Sequence, residues 1–328
     1  MHTQLHAIDT CITLQSNFSG SVLVTKDDLI IFNKAYGMAD YELDVANTPD
    51  TKFRIASITK QFTALSIMQL QEKGVLNIHD SLDNYIPDYP QGNTITIAHL
   101  LSHTSGIADI GAEWNSIKIF PLSLDESVER FKYKPLESVP GSTFAYSNSN
   151  FFLLTYIIQK VSRKSYADYI QHSICAPLGM HDTGYDHHDP IVKKRSRGYS
   201  YKNNILQNVN YFNPEIAVGS GGLYSTVADL AKFDKGLRDY TLISPESFKL
   251  MTEKQIAADN KGNDYGYGWF LTTIQNRRAC WYDGAIDGTS SMFLHFLDEK
   301  LTIIILSNIE GCQIPLSHEI AKIVLENK

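Results

Sequence analysis

The chain has 328 residues, 43% hydrophobic and 20% charged, the make-up of a soluble globular protein with room for one large core or two smaller ones. Its 29 Lys and Arg against 36 Asp and Glu give a formal net charge of −7, the opposite of the basic face that nucleic-acid binding requires. No apolar run approaches the roughly 18 residues that span a bilayer, and Cys11, Cys175, Cys280 and Cys312 are scattered without a CxxC pair, a pattern of buried thiols rather than a disulfide framework or zinc site.

In chain order, a first helix is predicted from about Leu5 to Leu14. "GSVLVTKDDLIIFNKAYG" then reads as two strands around a Lys-Asp-Asp turn. The segment Arg54 to Gly74, "RIASITKQFTALSIMQLQEKG", has Ile58, Phe62, Leu65 and Met68 at three- and four-residue spacing, which predicts an amphipathic helix stopped by Gly74. From about Leu76 to Asn213 the pattern changes to short helices and loops punctuated by prolines. Within it "NFFLLTYIIQKVSRKS" is apolar around most of its surface and so reads as a buried helix. Beyond Gly219 strands return: "SSMFLHFLDEKLTIIILSN" is a second hairpin turning at Asp298-Glu299-Lys300, with "LTIIILS" as a central strand. "HEIAKIVLENK" closes the chain as a helix. Strands at both ends with helices between predict an α/β domain from residues 1–75 and 214–328, and an inserted, mostly helical domain from 76–213. A cleft between the two is the expected site.

Ser57 and Lys60 are three apart and share a helix face beside apolar neighbours. A serine hydroxyl is a poor nucleophile until something takes its proton, and a lysine does so only as a free amine, after burial or nearby positive charge has lowered its pKa. At a helix N-terminus the unpaired N–H groups also favour the anion that forms on an attacked carbonyl. Ser57 is the only serine here with Lys three residues on. Taken alone, the spacing is more often a solvated pair than a catalytic one. A second motif, Tyr146-Ser147-Asn148, follows Pro-Gly and leads into the buried helix. Its tyrosine could relay protons, and its amide could hold both the lysine and a substrate carbonyl. Tyr201-Lys-Asn203 and Tyr211-Phe-Asn213 match the same pattern but sit in an Asn-rich, loop-like stretch and read as turn chemistry.

"FRIASITKQFTA", "ITIAHLLSHTSGI", "PGSTFAYSNSNF", "APLGMHDTGY", "GSGGLYSTVADLAKF", "YGYGW" and "YDGAIDG" occur in the order in which similar segments occur in one family. On them the chain resembles the serine β-lactamases of the class C type, penicillin-binding proteins, and their esterase and D-peptidase relatives. The resemblance implies a β-lactamase-like fold: an antiparallel sheet flanked by helices, with an inserted helical domain. It implies Ser57 as nucleophile, Lys60 as its base partner, Tyr146 as proton relay and Asn148 as substrate-positioning residue. The oxyanion hole would be the N–H groups of Ser57 and Ala285. The reaction would be acyl transfer through a covalent acyl-enzyme on a small-molecule or peptide substrate, without metal or cofactor.

One motif departs. The family's Lys-Thr-Gly, Lys-Ser-Gly or His-x-Gly occurs nowhere in the chain, and the matching position reads Tyr282-Asp283-Gly284. Tyr282, Gly284 and Ala285 are expected to bind substrate, with Tyr282 keeping a donor but giving up the positive charge and Asp283 adding a negative one. That weakens recognition of carboxylates, including those of penicillins, and favours an ester or D-amino-acid peptide over efficient β-lactam hydrolysis. Thr289 also replaces a usual Phe. The rival reading, motivated by Tyr282, is a penicillin-recognising or scaffold-like protein with little turnover.

The segment "MHDTGYDHHD" offers His181, Asp182, Asp186, His187, His188 and Asp189, but at no fixed ligand spacing, so a metal is not expected there. His103 is a general-base candidate by type and is read as a loop brace. The chain starts almost at its first helix, where mature domains of the family begin, so export is expected, with a cytoplasmic location the alternative.

Overall fold

The computed structural model describes residues 2–326 other than 16, 121 and 312, so Cys312 lies outside the described residues. Two hairpins from opposite ends of the chain build the frame. β1 (Gly20–Lys26) and β2 (Leu29–Tyr36) join through Asp27 and Asp28, both at positive φ, the backbone twist that a tight two-residue hairpin turn needs. β3 (Ile256–Ala257), β4 (Asp264–Tyr265), β5 (Phe270–Ile274), β6 (Arg277–Ile286), β7 (Thr289–Phe296) and β8 (Leu301–Ser307) follow late in the chain. β8 pairs antiparallel with both β7 and β1, closing an eight-stranded sheet of order β3-β4-β5-β6-β7-β8-β1-β2. Every residue of β8 is buried, because both faces of the sheet are covered, and so the strand reads as a continuous apolar run instead of alternating.

On one face lie helices α1 (His2–Thr13) and α5 (Ile314–Glu326), with Ile8, Ile12, Ile320 and Val324 packed on Val22, Met292 and Ile303. The other face packs against α2 (Thr59–Glu72), α3 (Asn148–Ser162) and α4 (Val227–Arg238). Their side chains, with those of residues 76–131, form one continuous core with Leu23, Phe293 and Ile304. The family expectation of an antiparallel sheet flanked by helices is the architecture observed.

α2 departs from the amphipathic reading. All residues from Thr59 to Leu70 are buried, polar ones included. Thr63 Oγ is 2.7 Å from the Tyr166 hydroxyl and donates to Gly219 O, while Ser66 donates to Phe62 O. Thr63 and Ser66 are thus paired although the helix lies enclosed between sheet and helices. Gly268 permits part of this enclosure, since a side chain there would run into Ala64 of α2.

α4 is fixed to the sheet by a buried polar cluster. Asp234 accepts from Arg238 Nε at 3.0 Å and Thr302 Oγ at 2.8 Å, and pairs with His295. Burial raises the carboxyl's pKa, but His295, Arg238 and Thr302 outweigh it and hold it below its ordinary value. Asp234→Ala leaves Arg238 without its buried partner and is expected to cost about 3–5 kcal/mol, read as a fall in Tm. Because the folded-state pKa is depressed, the margin of the wild type over Asp234→Asn should hold above the ordinary carboxylate range. It should shrink as the pH falls through and below that range.

Candidate active site

The chain enters α2 through a strained bend. Arg54 ends a short strand paired with Leu223–Ser225, Ala56 then takes φ +46°, and a 3₁₀ turn over Ala56–Ile58 carries Ser57 directly onto the helix N-terminus. A non-glycine residue at positive φ is held there only by its surroundings. Here it presents the Ser57 side chain to a cleft of about 350 Å³, walled by Trp114, Tyr146, Asn148, Ser220, Ala285 and Ile286 among others.

One turn on, Lys60 is completely buried. Its Nζ is 3.1 Å from Ser57 Oγ, 2.9 Å from Asn148 Oδ1 and 2.7 Å from the Ser220 carbonyl oxygen, and it lies 4.9 Å from the centre of the Tyr146 ring. Desolvation pulls its pKa down to about 7, against the opposing pull of Asp109 and Asp283. A free amine has two N–H groups and one lone pair. The two N–H groups match the Asn148 and Ser220 oxygens, which leaves the lone pair for the Ser57 hydroxyl.

Tyr146 donates to Ser57 Oγ at 3.0 Å. Burial raises its pKa, and the hydrogen bonds it shares with Ser57 and Tyr282 only partly counter that, so near neutral pH it is a phenol able to pass a proton, not a phenolate base. Its position comes from the lacing of two loops. His103, itself at positive φ, accepts the Ala145 N–H on its carbonyl at 2.8 Å, and the Ser147 N–H on Nδ1 at 3.2 Å. Burial holds the imidazole well below its ordinary pKa, and its ring centre lies 4.5 Å from that of Tyr146. With Nδ1 so engaged, His103 braces the Tyr146 loop.

α3 begins at Asn148, and the carboxylate at its N-terminus is Asp109, which accepts the Asn148 N–H at 2.8 Å and faces its amide at 3.4 Å. Asp109 and the Ser220 carbonyl are members of the site that motif reading missed. No spacing links Asp109 to Asn148, and Ser220 acts through its backbone. The single available signal was that the first turn of α3 lacks an acidic residue of its own.

Along β6, Gly284 lies against Ser57: a Cβ there would stand 2.9 Å from the Ser57 nitrogen. Ile286 and Thr289 close the β6–β7 turn, so in the alternation of an antiparallel ladder the Ala285 amide faces away from β7. On that side β5 has ended, its last pair being Phe270↔Trp281. The Ala285 N–H is therefore left for the cleft, near that of Ser57, in an arrangement suited to a developing oxyanion.

Tyr282 is fully buried, with its hydroxyl 2.9 Å from that of Tyr265 and in hydrogen-bonding relation to Tyr146. Side chains alternate along β6, and residue 282 falls on the core side, beside Tyr146. Gly284 is also buried and admits Ser57 to the strand, while Ala285 forms the cleft wall.

The His- and Asp-rich segment is occupied otherwise. Asp186 is buried between Arg54 and Arg195, Asp182 pairs with Lys52, His187 with Glu215, and His188 with Tyr211. Among the described residues no three His, Cys, Asp or Glu side chains converge as metal ligands.

A serine on a helix N-terminus, facing a buried lysine and a tyrosine in a β-lactamase-like fold, defines a serine acyl-transfer protein. Residues 8–317 match the family model described as Beta-lactamase, and the chain belongs to that family. It is 32% identical over 313 residues to penicillin-binding protein 4* of Bacillus subtilis, covering 89% of this chain and 68% of that protein. It is 27% identical to the teichoic acid D-alanine hydrolase of Staphylococcus aureus, covering 96% and 77%. The solved D-amino acid amidase of Ochrobactrum anthropi SV3 superposes with a TM-score of 0.91 at 21% identity, over 99% and 100% of the two chains, a likeness of fold. Family and homologues make the protein a serine hydrolase of the acyl-enzyme type. Among the described residues no helix is long and apolar enough to cross a membrane.

If Lys60 must be a free amine, kcat/KM for an ester should rise with pH through about 7 and level off above it. A profile flat down to pH 5 would contradict this assignment.

Proposed function

We propose that Ser57 attacks the carbonyl of an ester or a D-aminoacyl amide while Lys60 takes its proton. Tyr146 relays that proton from the Lys60 ammonium to the leaving group, which restores the free amine, and the N–H groups of Ser57 and Ala285 hold the oxyanion. Water then releases the acyl group, with Asn148 keeping Lys60 and the acyl chain in register. The observation that carries this reading is the enclosure of Lys60, fully buried yet 3.1 Å from Ser57 Oγ. A solvated surface pair would keep its lysine charged.

The substrate class follows from what the strand offers. Tyr282 brings no positive charge, so an acyl donor that depends on its carboxylate for binding, as a penicillin would, finds no cation at that position of β6. The relatives' names, a teichoic acid D-alanine hydrolase and penicillin-binding proteins, span ester and peptide-like acyl donors. The loss of charge here favours the esters and aminoacyl amides.

The test is turnover of a p-nitrophenyl short-chain ester, a chromogenic cephalosporin and a fluorescent penicillin by the protein and its Ser57→Ala variant. The ester should be hydrolysed well, the β-lactams poorly, and Ser57→Ala should lower ester turnover by about a thousandfold or more. Slow labelling of Ser57 by the penicillin without ester turnover would favour the penicillin-recognising alternative. Ester turnover that survives in Ser57→Ala would contradict the mechanism.

A further inference from the structure

A second pocket lies beside the Ser57 cleft and differs from it in charge. No charged side chain lines the cleft. The neighbouring pocket, of about 410 Å³, is lined by Arg54, Arg195 and Arg197, with Tyr211 and Phe212 as an aromatic wall, and among the described residues no acidic side chain lines it. Phe212 stands between the two. Its ring centre is 5.6 Å from that of Trp114, which walls the cleft, and 5.8 Å from the Arg54 guanidinium carbon. Arg54 lies just ahead of Ser57 in the chain, on the short strand that leads into the bend at Ala56.

The three arginines are anchored from behind with donors to spare. Arg54 Nε donates to the buried Asp186 carboxylate at 2.7 Å, Arg195 pairs with the other oxygen of that carboxylate, and Arg197 pairs with Glu42. A single carboxylate thus holds two guanidinium groups side by side. Each arginine commits one nitrogen in this way, and among the described residues the remaining guanidinium nitrogens make no hydrogen bond. Asp186 and Glu42 balance two of the three positive charges and leave one in excess. The Arg54 and Arg195 side chains are only 25% and 28% exposed, so that charge is partly shielded from water and salt. Fixed guanidinium forks with free donors suit a group rich in anionic oxygens. A carboxylate offers two such oxygens, whereas a phosphoryl group offers three and more charge.

We propose that the pocket of Arg54, Arg195 and Arg197 is a phosphoryl-binding site. The group arrives either on an acyl donor long enough to pass Trp114 and Phe212, with its ester carbonyl at Ser57, or as a free phosphate ion. Only the first source rests on the acyl-hydrolase reading.

The site is tested by calorimetric titration with inorganic phosphate at low ionic strength, on the wild type and on Ser57→Ala, so that binding is read without turnover. Phosphate should bind both at one saturable site, about tenfold or more tighter than acetate, and added sodium chloride should weaken it. Arg197→Gln should weaken phosphate by about tenfold, the scale of one partly screened ion pair, and Arg197→Lys by less. Arg195→Lys, which keeps a cation on Asp186, should also weaken it while Tm stays close to that of the wild type. The source is then read from acetyl esters of ω-phosphoalkanols of increasing length, each against the acetyl ester of the matching unphosphorylated diol. A kcat/KM preference for a phosphorylated ester that is lost through KM in Arg197→Gln assigns the site to the substrate. Phosphate binding without that preference assigns it to the free ion. Equal affinity for phosphate and acetate, or a phosphate affinity unchanged in both Arg197→Gln and Arg195→Lys, overturns the proposal whatever the protein does to esters. Absence of Ser57-dependent turnover with phosphate binding intact contradicts the acyl-hydrolase reading alone.

Discussion

The burial of one amine organises this structure. An ammonium moved from water into a protein interior costs several kcal/mol even when partly compensated, and Lys60 receives only neutral partners: an amide oxygen, a backbone carbonyl oxygen and a hydroxyl. None of those partners carries the negative charge that would offset an ammonium there. Asp109 and Asp283 resist the shift but are not in contact with Nζ, so desolvation prevails and the pKa settles at about 7. The fold's task is to keep water from that position, and it does so by wrapping α2 on every side.

The wrapping explains choices far from the cleft. The sheet brings β6 across the N-terminus of α2, which requires a residue without a side chain at Gly284. α3 arrives from the opposite side with Asn148 at its first turn, held by Asp109, and with Phe151 one turn later, whose ring centre is 5.5 Å from Lys60 Nζ. The Val218–Gly221 turn supplies the Ser220 carbonyl, with Val218 at φ +33°, a conformation that a β-branched residue adopts only under constraint. Strain at Ala56, His103 and Val218 thus gathers around a single lysine. Each marks a place where the chain gives up local comfort to aim a group at Lys60, Ser57 or Tyr146.

The parts of the site joined by short spacing could be read from the sequence. Ser57 and Lys60 are linked by one helical turn, Tyr146 and Asn148 by one loop-to-helix junction, and the hairpins by Asp27-Asp28 and residues 298–300. Readings that depended on the environment of an element did less well. The Phe62, Leu65 and Met68 stripe suggested a helix with a solvated side. Thr63 and Lys60 are polar by type, and their burial depends on partners more than 80 residues away at Tyr166, Gly219 and Asn148. Tyr282 could be placed on its strand, but which face it takes, and that Tyr265 waits there to receive its hydroxyl, follows from the pairing of β4, β5 and β6. Asp109 and Ser220 left no trace in the motifs, because one acts on a helix terminus and the other through a carbonyl.

The account stands or falls on the protonation of Lys60, which can be observed directly. Heteronuclear NMR of protein labelled with nitrogen-15 at lysine Nζ, with Lys60→Met used to assign the resonance, would follow the amine through its titration. A midpoint near 7, well separated from the other lysines, is the predicted result. A Lys60 signal that titrates near 10.5 with the surface lysines would show the amine to be charged at neutral pH, and with it the proposed activation of Ser57 would fall.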